Sequence, residues 1–597
     1  MSHKLLELVL ENAIRYEGKA SVGSILGKLI SADPHLKDSK EMIKKVSQEV
    51  AQVVKQVNAM TKEQQLAEFE KLGGKLTEKE KKEKTTTLPK LRDVGRPIVL
   101  RFEPSPSGPL HIGHAYVFGL NYQYAQEYKG KLILRIADTN ASNINTQSYE
   151  LIPTDANWLT NNGVNEFIIQ SDRIDIYYDY VLKFIEKGHA YVCSCSADEF
   201  KAISKRKEEC PCRNHSKDEN LKRWHDMFTK YNEGDAVLRF KSDMKHPNPA
   251  MRDFPLFRIN DDEHPRTGKK YRLWPLMNFA VLVDDHELGV THILRAKDHA
   301  DNAKRQEMMY KAMGWDVPET LFVGRINFED MEISCSKTKE KISNGEFWGW
   351  DDIRLPFMPA LRRRGYQPEA FIKYAIDVGV SLNDKSVSRE DFFKTINFNN
   401  KQILESKAHR FFFVAEPVAV KIKDAPEIEV ELDLHPDYKK GGRFFHCNGE
   451  FYLAKDDADS FENAASHDSL YRLMDCMNFT VSVDKTADKS EKGTKGKTKK
   501  SKIEPEVAEN KKHKYECKYH SVSFEEVKGK AKLIHWLPKK EAVKVEILMD
   551  DNTIIKGFGE KGLEDLKEGD IVQFVRFGFC RLDKIEIDKL VFWFTHK

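Results

Sequence analysis

The chain has 597 residues, 40% of them hydrophobic, and a formal net charge of +3. That is long enough for about four domains, each with its own core, and too polar for a membrane-embedded protein. The near balance of charge leaves any nucleic acid to local basic patches rather than to a global field.

The first residues form an amphipathic pattern with acidic side chains rather than a basic and apolar cleavable signal, and no long apolar run follows. A soluble cytoplasmic protein with no membrane partner is expected. Ile43, Val46, Val50, Val53 and Val57 recur at helical spacing and predict an amphipathic helix within a small helical domain. The charged stretch from Thr77 to Thr87 lacks apolar side chains and precedes Pro89, which predicts a solvated linker and a boundary near residue 90. Ile98 to Phe102 then reads as a buried strand, Pro104 to Pro109 as a turn, His111 to Tyr128 as a helix and Leu132 to Ile136 as a second strand. This is the βαβ start of a nucleotide-binding sheet.

Residues 190–290 are irregular and Pro-rich and predict an insertion, after which His292 to Ala296 resumes the sheet. Beyond Asn399, alternating segments such as Arg410 to Val414, Val418 to Ile422 and Ile571 to Val575 favour antiparallel barrels. Eleven lysines and no aromatic residue lie between Lys485 and Lys514. Such a segment buries too little apolar area to offset its ordering entropy, so a disordered basic loop near 485–514 is expected, with salt-dependent affinity for nucleic acid.

The chemistry is concentrated in Arg101 to Ala115, RFEPSPSGPLHIGHA. It sits where a strand hands over to a helix, the usual place for phosphates in an α/β sheet. The candidate nucleotide-binding residues are Pro104, Ser105, Pro106, Ser107, Gly108, Pro109, Leu110, His111, Ile112, Gly113 and His114. The prolines and Gly108 fix a tight loop, Gly113 admits a nucleotide against the helix, and His111 and His114 offer hydrogen bonds to phosphate oxygens. His-x-x-His alone is as readily a metal pair or two surface histidines; the preceding loop decides against both.

A second cluster is Cys193-Ser-Cys195 with Cys210-Pro-Cys212. Two C-x-C pairs this close among nine cysteines suit a structural tetrahedral zinc site better than a buried core or a disulfide framework, with His215 as an alternative ligand. Zinc would supply a cross-link where the insertion looks too poor in apolar residues to fold unaided.

PSPSGPLHIGHA resembles the HIGH signature of class I aminoacyl-tRNA synthetases in its glutamyl and glutaminyl form. Ile333 to Lys339, ISCSKTK, is similar to the second signature of that family, with Ser336 and Lys337 at its end and Ser334 where the family has a first lysine; Lys339 and Lys341 are candidates for that charge. The segments Asp284 to Asn302, Gly349 to Pro356, Leu361 to Tyr366 and Val572 to Asp583 extend the likeness over nearly the whole chain. GKASVGSILGK, Gly18 to Lys28, resembles the helical appendage of archaeal-type glutamyl-tRNA synthetases.

The resemblance implies a multidomain α/β protein: a helical appendage over 1–90, a Rossmann-type catalytic domain over 91–345 with an acceptor-stem insertion at 190–290, a helical stem-contact domain over 346–405, and anticodon-binding β-barrels over 406–597. It implies ATP with Mg2+ and glutamate as substrates, tRNA-Glu as acceptor, and a monomer; tRNA-Gln as a second acceptor stays open. His111, His114 and Lys337 would be catalytic, and Arg101 and Arg295 would hold glutamate. Two positions depart from the family pattern. LRIADTN has Ala137 where the family places an acid toward the substrate ammonium, leaving Asp138 as the neighbouring candidate, and WPLM has Met277 where the family has a tyrosine. Alternatives with the same signatures are a glutaminyl enzyme and a tRNA- and ATP-binding paralogue that does not charge. The triplet Arg362 to Arg364 is expected to line the inner corner of tRNA.

Overall fold

The computed structural model describes residues 3–15, 18–32, 40–73, 87–462, 469–483 and 515–597. The predicted basic loop and nearly all of the predicted linker lie outside these residues. The chain divides into two compact units, Met1–Thr85 and Thr86–Lys597.

The first unit consists of α1 (His3–Arg15), α2 (Val22–Ala32), α3 (Lys40–Asn58) and α4 (Lys62–Lys71). Val50, Val53, Val54 and Val57 fall on one face of α3 and bury against Val9, Leu10, Ala13, Ile25 and Phe69. The turn into α4 is fixed by a capping box between Thr61 and Gln64.

The second unit carries β1 (Val99–Phe102), β2 (Lys131–Ile136), β3 (Glu166–Ile169), β4 (Ala190–Cys193), β5 (Val237–Phe240), β6 (Pro255–Ile259), β7 (Leu273–Pro275), β8 (His292–Ala296) and β9 (Glu319–Val323). One sheet has the order β3-β2-β1-β8-β9, and all its pairings are parallel. The order reverses direction at β1 and β8, so the crevice beyond their C-terminal ends is where such a sheet receives a ligand. Between β1 and β2 runs α5 (Ile112–Glu127).

The insertion is not irregular: β4 to β7 form a four-stranded antiparallel sheet. Nor is it short of apolar residues. Trp224, Leu238, Phe240, Phe254, Leu256, Phe257 and Trp274 share one buried core with Tyr177, Phe184 and Phe279 of the flanking helices. The strands are three to five residues long, too short for alternation to show in the sequence.

After β9, the helix Pro368–Val378 lies against α5, and the helix Arg389–Leu404 adds Phe392 and Ile396 to the core of the parallel sheet. A Cβ at Gly119 would stand 3.1 Å from Ala375 Cβ and 3.2 Å from Ile372 Cδ1, so the missing side chain lets these two helices approach.

The C-terminal region is β-rich, with two seven-stranded, barrel-like sheets. They are mixed rather than purely antiparallel: His409–Phe411 runs parallel to Ile571–Phe574, Val543–Leu548 to Leu590–His596, and Pro417–Lys423 to Tyr515–Ser521. Alternating hydrophobicity specifies which face a residue presents, not the direction of the strand beside it. The run Phe411-Phe412-Phe413-Val414 shows this alternation: Phe411 and Phe413 enter one core, Phe412 and Val414 the other.

Gly119→Leu is expected to force the two helices apart, at a cost of about 1 to 3 kcal/mol. Thermal melting should register this as a fall of several degrees with the far-ultraviolet spectrum retained.

Candidate active site

The loop after β1 is held from several directions before it enters α5. Ala137 N donates to Pro104 O at 3.0 Å and Asn145 N to Pro106 O at 2.8 Å. Leu110 N donates to Asp155 Oδ2 at 3.1 Å. Ile112 N bonds Pro356 O at 3.2 Å, and Met358 N bonds Leu110 O at 2.8 Å, so the segment leading into Met358–Arg363 forms the other wall. Burial raises the Asp155 carboxyl to about 8 against the pull of Arg362.

His111 is the N-cap of α5. Its Nδ1 accepts from Gly113 N at 3.1 Å and from His114 N at 3.3 Å. The His111 and His114 rings stack with centroids 3.7 Å apart. Burial lowers both: His111 falls well below its ordinary value with help from His114, and His114 falls to about 4. Both imidazoles are therefore neutral near pH 7, and His114 Nδ1 is buried without a hydrogen-bond partner. A neutral ring pair at a helix N-terminus supplies directed donors beside the positive end of the helix dipole.

The second signature packs against this loop. A Cβ on Gly108 would meet Cys335 Sγ at 2.9 Å and Trp350 Cη2 at 3.0 Å, so no larger residue fits there. Ile333 Cδ1 approaches the Cβ position of Gly113 at 3.7 Å. Ser334, at the position of the family's first lysine, N-caps the helix Cys335–Ser343. Ser336 and Lys337 are exposed in its first turn, and Lys337 Nζ pairs with Glu332 at 3.1 Å rather than with the histidines. Lys341 pairs with Glu346 at 3.2 Å.

Beside the loop, at the C-terminal ends of β1, β2 and β8, lies a buried cluster of charges. Arg101 bonds Asp285 through Nε at 3.2 Å and Nη2 at 3.4 Å. Arg135 reaches Glu103 at 2.9 Å, Asp285 at 2.7 Å and Asp284 at 3.6 Å. Arg173 and Tyr177 bond Asp284 at 2.7 and 2.8 Å. Arg295 donates to Gln306 Oε1 at 3.1 Å, but its Nε and Nη2 are buried without partners. Burial and the charge of Arg101 lower Arg295 to about 10. Gln306 in turn meets Asn278, the residue after Met277.

Arg101 and Arg295 are expected from the sequence; Arg135, Glu103, Asp284, Asp285 and Gln306 join them only in the structure. Arg135 lies within LRIADTN, yet its role shows only once its partners are assembled. Asp138 does not belong to the open site. Tyr149 Oη and Ser171 N both donate to its carboxylate at 2.8 Å, and its side chain is wholly enclosed. A carboxylate bonded on both oxygens and closed off from any ligand is a fastening for the loop rather than a partner for an ammonium.

Cys193, Cys195, Cys210 and Cys212 gather with all sulfur atoms within 4.8 Å of one another; His215 is not among them. The Sγ atoms of Cys193 and Cys195 stand 3.6 and 3.3 Å from that of Cys210. Four thiolates about 2.3 Å from a tetrahedral ion stand close to 3.8 Å apart, so the set fits zinc.

Of the arginine triplet, two residues are committed within the chain. Arg363 bonds Asp583 at 2.7 and 2.8 Å and Asp351 at 2.6 Å, and lies over the Trp593 ring. Arg364 is buried and donates to Thr595 O and Phe594 O. Arg362 and Arg363 line a cavity of about 1040 Å³ with Trp158, Trp348, Arg581 and Asp583, apart from the charge cluster.

Residues 97–403 match the family described as tRNA synthetases class I (E and Q), catalytic domain, and residues 408–499 and 533–583 match two anti-codon binding domain models of the same family. The chain is 40% identical over 593 residues to a glutamate–tRNA ligase of Methanothermobacter thermautotrophicus, covering 98% of each chain. It is 40% identical over 600 residues to one of Methanocaldococcus jannaschii, covering 100% of each. A solved glutamate tRNA ligase from Elizabethkingia meningosepticum is similar over 52% of this chain and 70% of that one, at 21% identity and a TM-score of 0.38.

Because burial lowers both histidines, the folded state binds fewer protons than the unfolded one. The contribution is therefore complete above pH 6.5 and is lost as pH falls, for His114 toward about 4 and for His111 in the same direction. His114→Gln is expected to flatten the decline in melting temperature over that window, as followed by melts at closely spaced pH.

Proposed function

The chain belongs to the class I tRNA synthetases of the E and Q family, and from that premise we propose that it attaches glutamate to tRNA-Glu in a reaction driven by ATP with Mg2+. The observation that carries this reading is the join of two sites. A signature loop with neutral histidine donors stands beside a buried cluster in which four guanidiniums face three carboxylates. The surplus is one positive charge. Glutamate, with two carboxylates and one ammonium, carries one negative charge and offers planar acceptors for guanidinium forks. Full-length similarity to glutamate–tRNA ligases supports the same substrate.

In this reading the glutamate α-carboxylate attacks the α-phosphorus of ATP. The bond to pyrophosphate breaks and glutamyl-adenylate forms. The 2′-hydroxyl of the terminal tRNA adenosine then attacks the activated carbonyl, its proton is lost, and AMP departs. His111 and His114 donate to phosphate oxygens at the helix N-terminus. Lys337 leaves Glu332 to meet the pyrophosphate, and Ser336 and the loop from Pro104 to Gly113 enclose the nucleotide. Catalysis is then positioning and charge stabilisation. In the finer domain reading, the parallel sheet is a Rossmann-type catalytic domain, the sheet of β4 to β7 contacts the acceptor stem, residues 346–405 contact the stem interior, the C-terminal sheets read the anticodon, and the first unit is an appendage.

Zinc is the natural occupant of the four cysteines, and its role is structural, since four protein ligands leave no open position. The insertion has its own apolar core, so the ion would cross-link only the small outer cluster of Tyr191, Phe200, Met244 and the cysteines. Metal analysis should find about one zinc per chain, and Cys210→Ser should lose it and lower the melting temperature while the protein stays folded. Unchanged metal content and melting in that variant would remove the site.

Charging assays with labelled glutamate, glutamine and aspartate on tRNA-Glu and tRNA-Gln test the function directly. Glutamate on tRNA-Glu is the expected product, and the tRNA-Gln arm decides the second acceptor. His114→Ala and Lys337→Ala should each slow charging by about 10² to 10³ with tRNA affinity little changed. Normal charging by either variant would take that residue out of the mechanism.

A further inference from the structure

An amino-acid pocket lined with guanidiniums needs a carboxylate for the substrate ammonium, and the position where the family carries one is Ala137 in this chain. Four acids surround the site. The side chains of Asp138, Asp284 and Asp285 are sealed, at 0%, 0% and 1% exposure, whereas that of Glu103 is 11% exposed. Glu103 Oε2 is taken by Arg135 at 2.9 Å and faces Arg101 at 3.8 Å. Oε1 receives one long bond, from Gln170 at 3.3 Å. An ionised carboxylate has about four acceptor positions, so Oε1 keeps one for a further donor.

Strand geometry puts Glu103 and Ala137 before the same space. In the parallel pairing of β1 and β2, Arg101 stands beside Ile133 and Phe102 beside Leu134. Continued by one residue, Glu103 stands beside Arg135, and Ala137 follows two residues later on the same face. The β1–β8 register, Leu100 beside His292, brings Arg295 level with Glu103 from the other side. Arg135, Glu103 and Arg295 thus form a row across three strand ends, and Glu103 acts electrostatically on both Arg295 and His299. Arg295, 7% exposed, holds two unpartnered donors in that row.

We infer that Glu103 receives the ammonium group of the amino-acid substrate while Arg101 and Arg295 take its carboxylates, so that the acid absent at Ala137 is supplied from the neighbouring strand. The inference rests on the proposed glutamate specificity and names the residue that completes it. Arg135 pairs with one oxygen of Glu103 and leaves the other to the ligand.

The test compares glutamate with glutarate, the same dicarboxylate without its amino group. The full chain charges tRNA with glutamate, and glutarate is titrated as a competitor. Glu103→Gln keeps the shape and an acceptor oxygen for Arg135. It should raise the KM for glutamate about tenfold to a hundredfold, leave kcat little changed, and leave the inhibition constant of glutarate unaltered. Glu103→Asp, which draws the charge back by one methylene, should move glutamate alone in the same direction and carries the test if the glutamine variant does not fold. Equal weakening of both ligands would show that Glu103 acts only by holding Arg135, and no change in either would show that it faces no substrate; each result overturns the inference while the charging function stands. A wild-type chain that charges no tRNA with glutamate overturns both.

Discussion

The charge cluster at the ends of β1, β2 and β8 is the constraint around which the catalytic unit is organised. Charges taken out of water are costly unless each finds partners of the opposite sign in good geometry. Arg135 is wholly buried and meets three carboxylates drawn from β1 and from the helix Met277–Glu287. Asp284 then binds Arg173 and Tyr177, which lie just before and within the helix that leads to the insertion. The pairing of Arg135 with these carboxylates therefore ties together two strands and two helices. Arg295 stands at the edge of the cluster: Arg101, Arg135 and Arg173 each pair with a carboxylate, whereas Arg295 is held by Gln306 alone and keeps Nε and Nη2 without a hydrogen bond.

The loop between β1 and α5 follows a different logic. Burial lowers both of its histidines, so they face the loop as neutral rings rather than as ion-pair partners, while the first N–H groups of α5 are already taken by His111 Nδ1 and Pro356 O. Holding the loop still requires walls. Gly108 lets Cys335 and Trp350 close on the loop, and the Ile112–Pro356 and Met358–Leu110 bonds close it from the side of the helical segment. Two sequence segments more than two hundred residues apart therefore form one cradle, and the second signature is placed by packing before any ligand arrives.

What the sequence made legible follows from the range of the interaction involved. The β1–α5–β2 unit, the β8 strand and the helical period of α3 are written in local patterns, and their ends lie within a residue or a few of expectation. The turn between β1 and α5 and the gathering of the four cysteines could be read because each is set by short spacings. Glu103 could not. In the sequence it is one acid between Phe102 and Pro104, and its meaning depends on Arg135, Gln170 and Arg295 being carried to it by the sheet. Asp138 was misleading for the same reason: adjacency to Ala137 suggested an open carboxylate, and Tyr149 and Ser171 close it.

The arginine triplet marks the limit of reading charge as a partner for nucleic acid. Isolated basic triplets usually form solvated faces or electrostatic patches, yet here Arg363 spans Asp351 and Asp583, and Arg364 is fixed by carbonyls of the last strand. Tyr366 adds a bond to Thr595 O at 3.2 Å, and Asn400 meets His596 at 2.9 Å. These contacts join the helical segment, which shares its core with α5, to Leu590–His596, a central strand of the C-terminal sheet. Arg364 is buried, and displacing it would leave its guanidinium without partners out of water. The span between the signature loop and the β-rich region is thus fixed by paired groups rather than left to a linker. A tRNA that engages both regions meets a surface whose spacing is set before it binds.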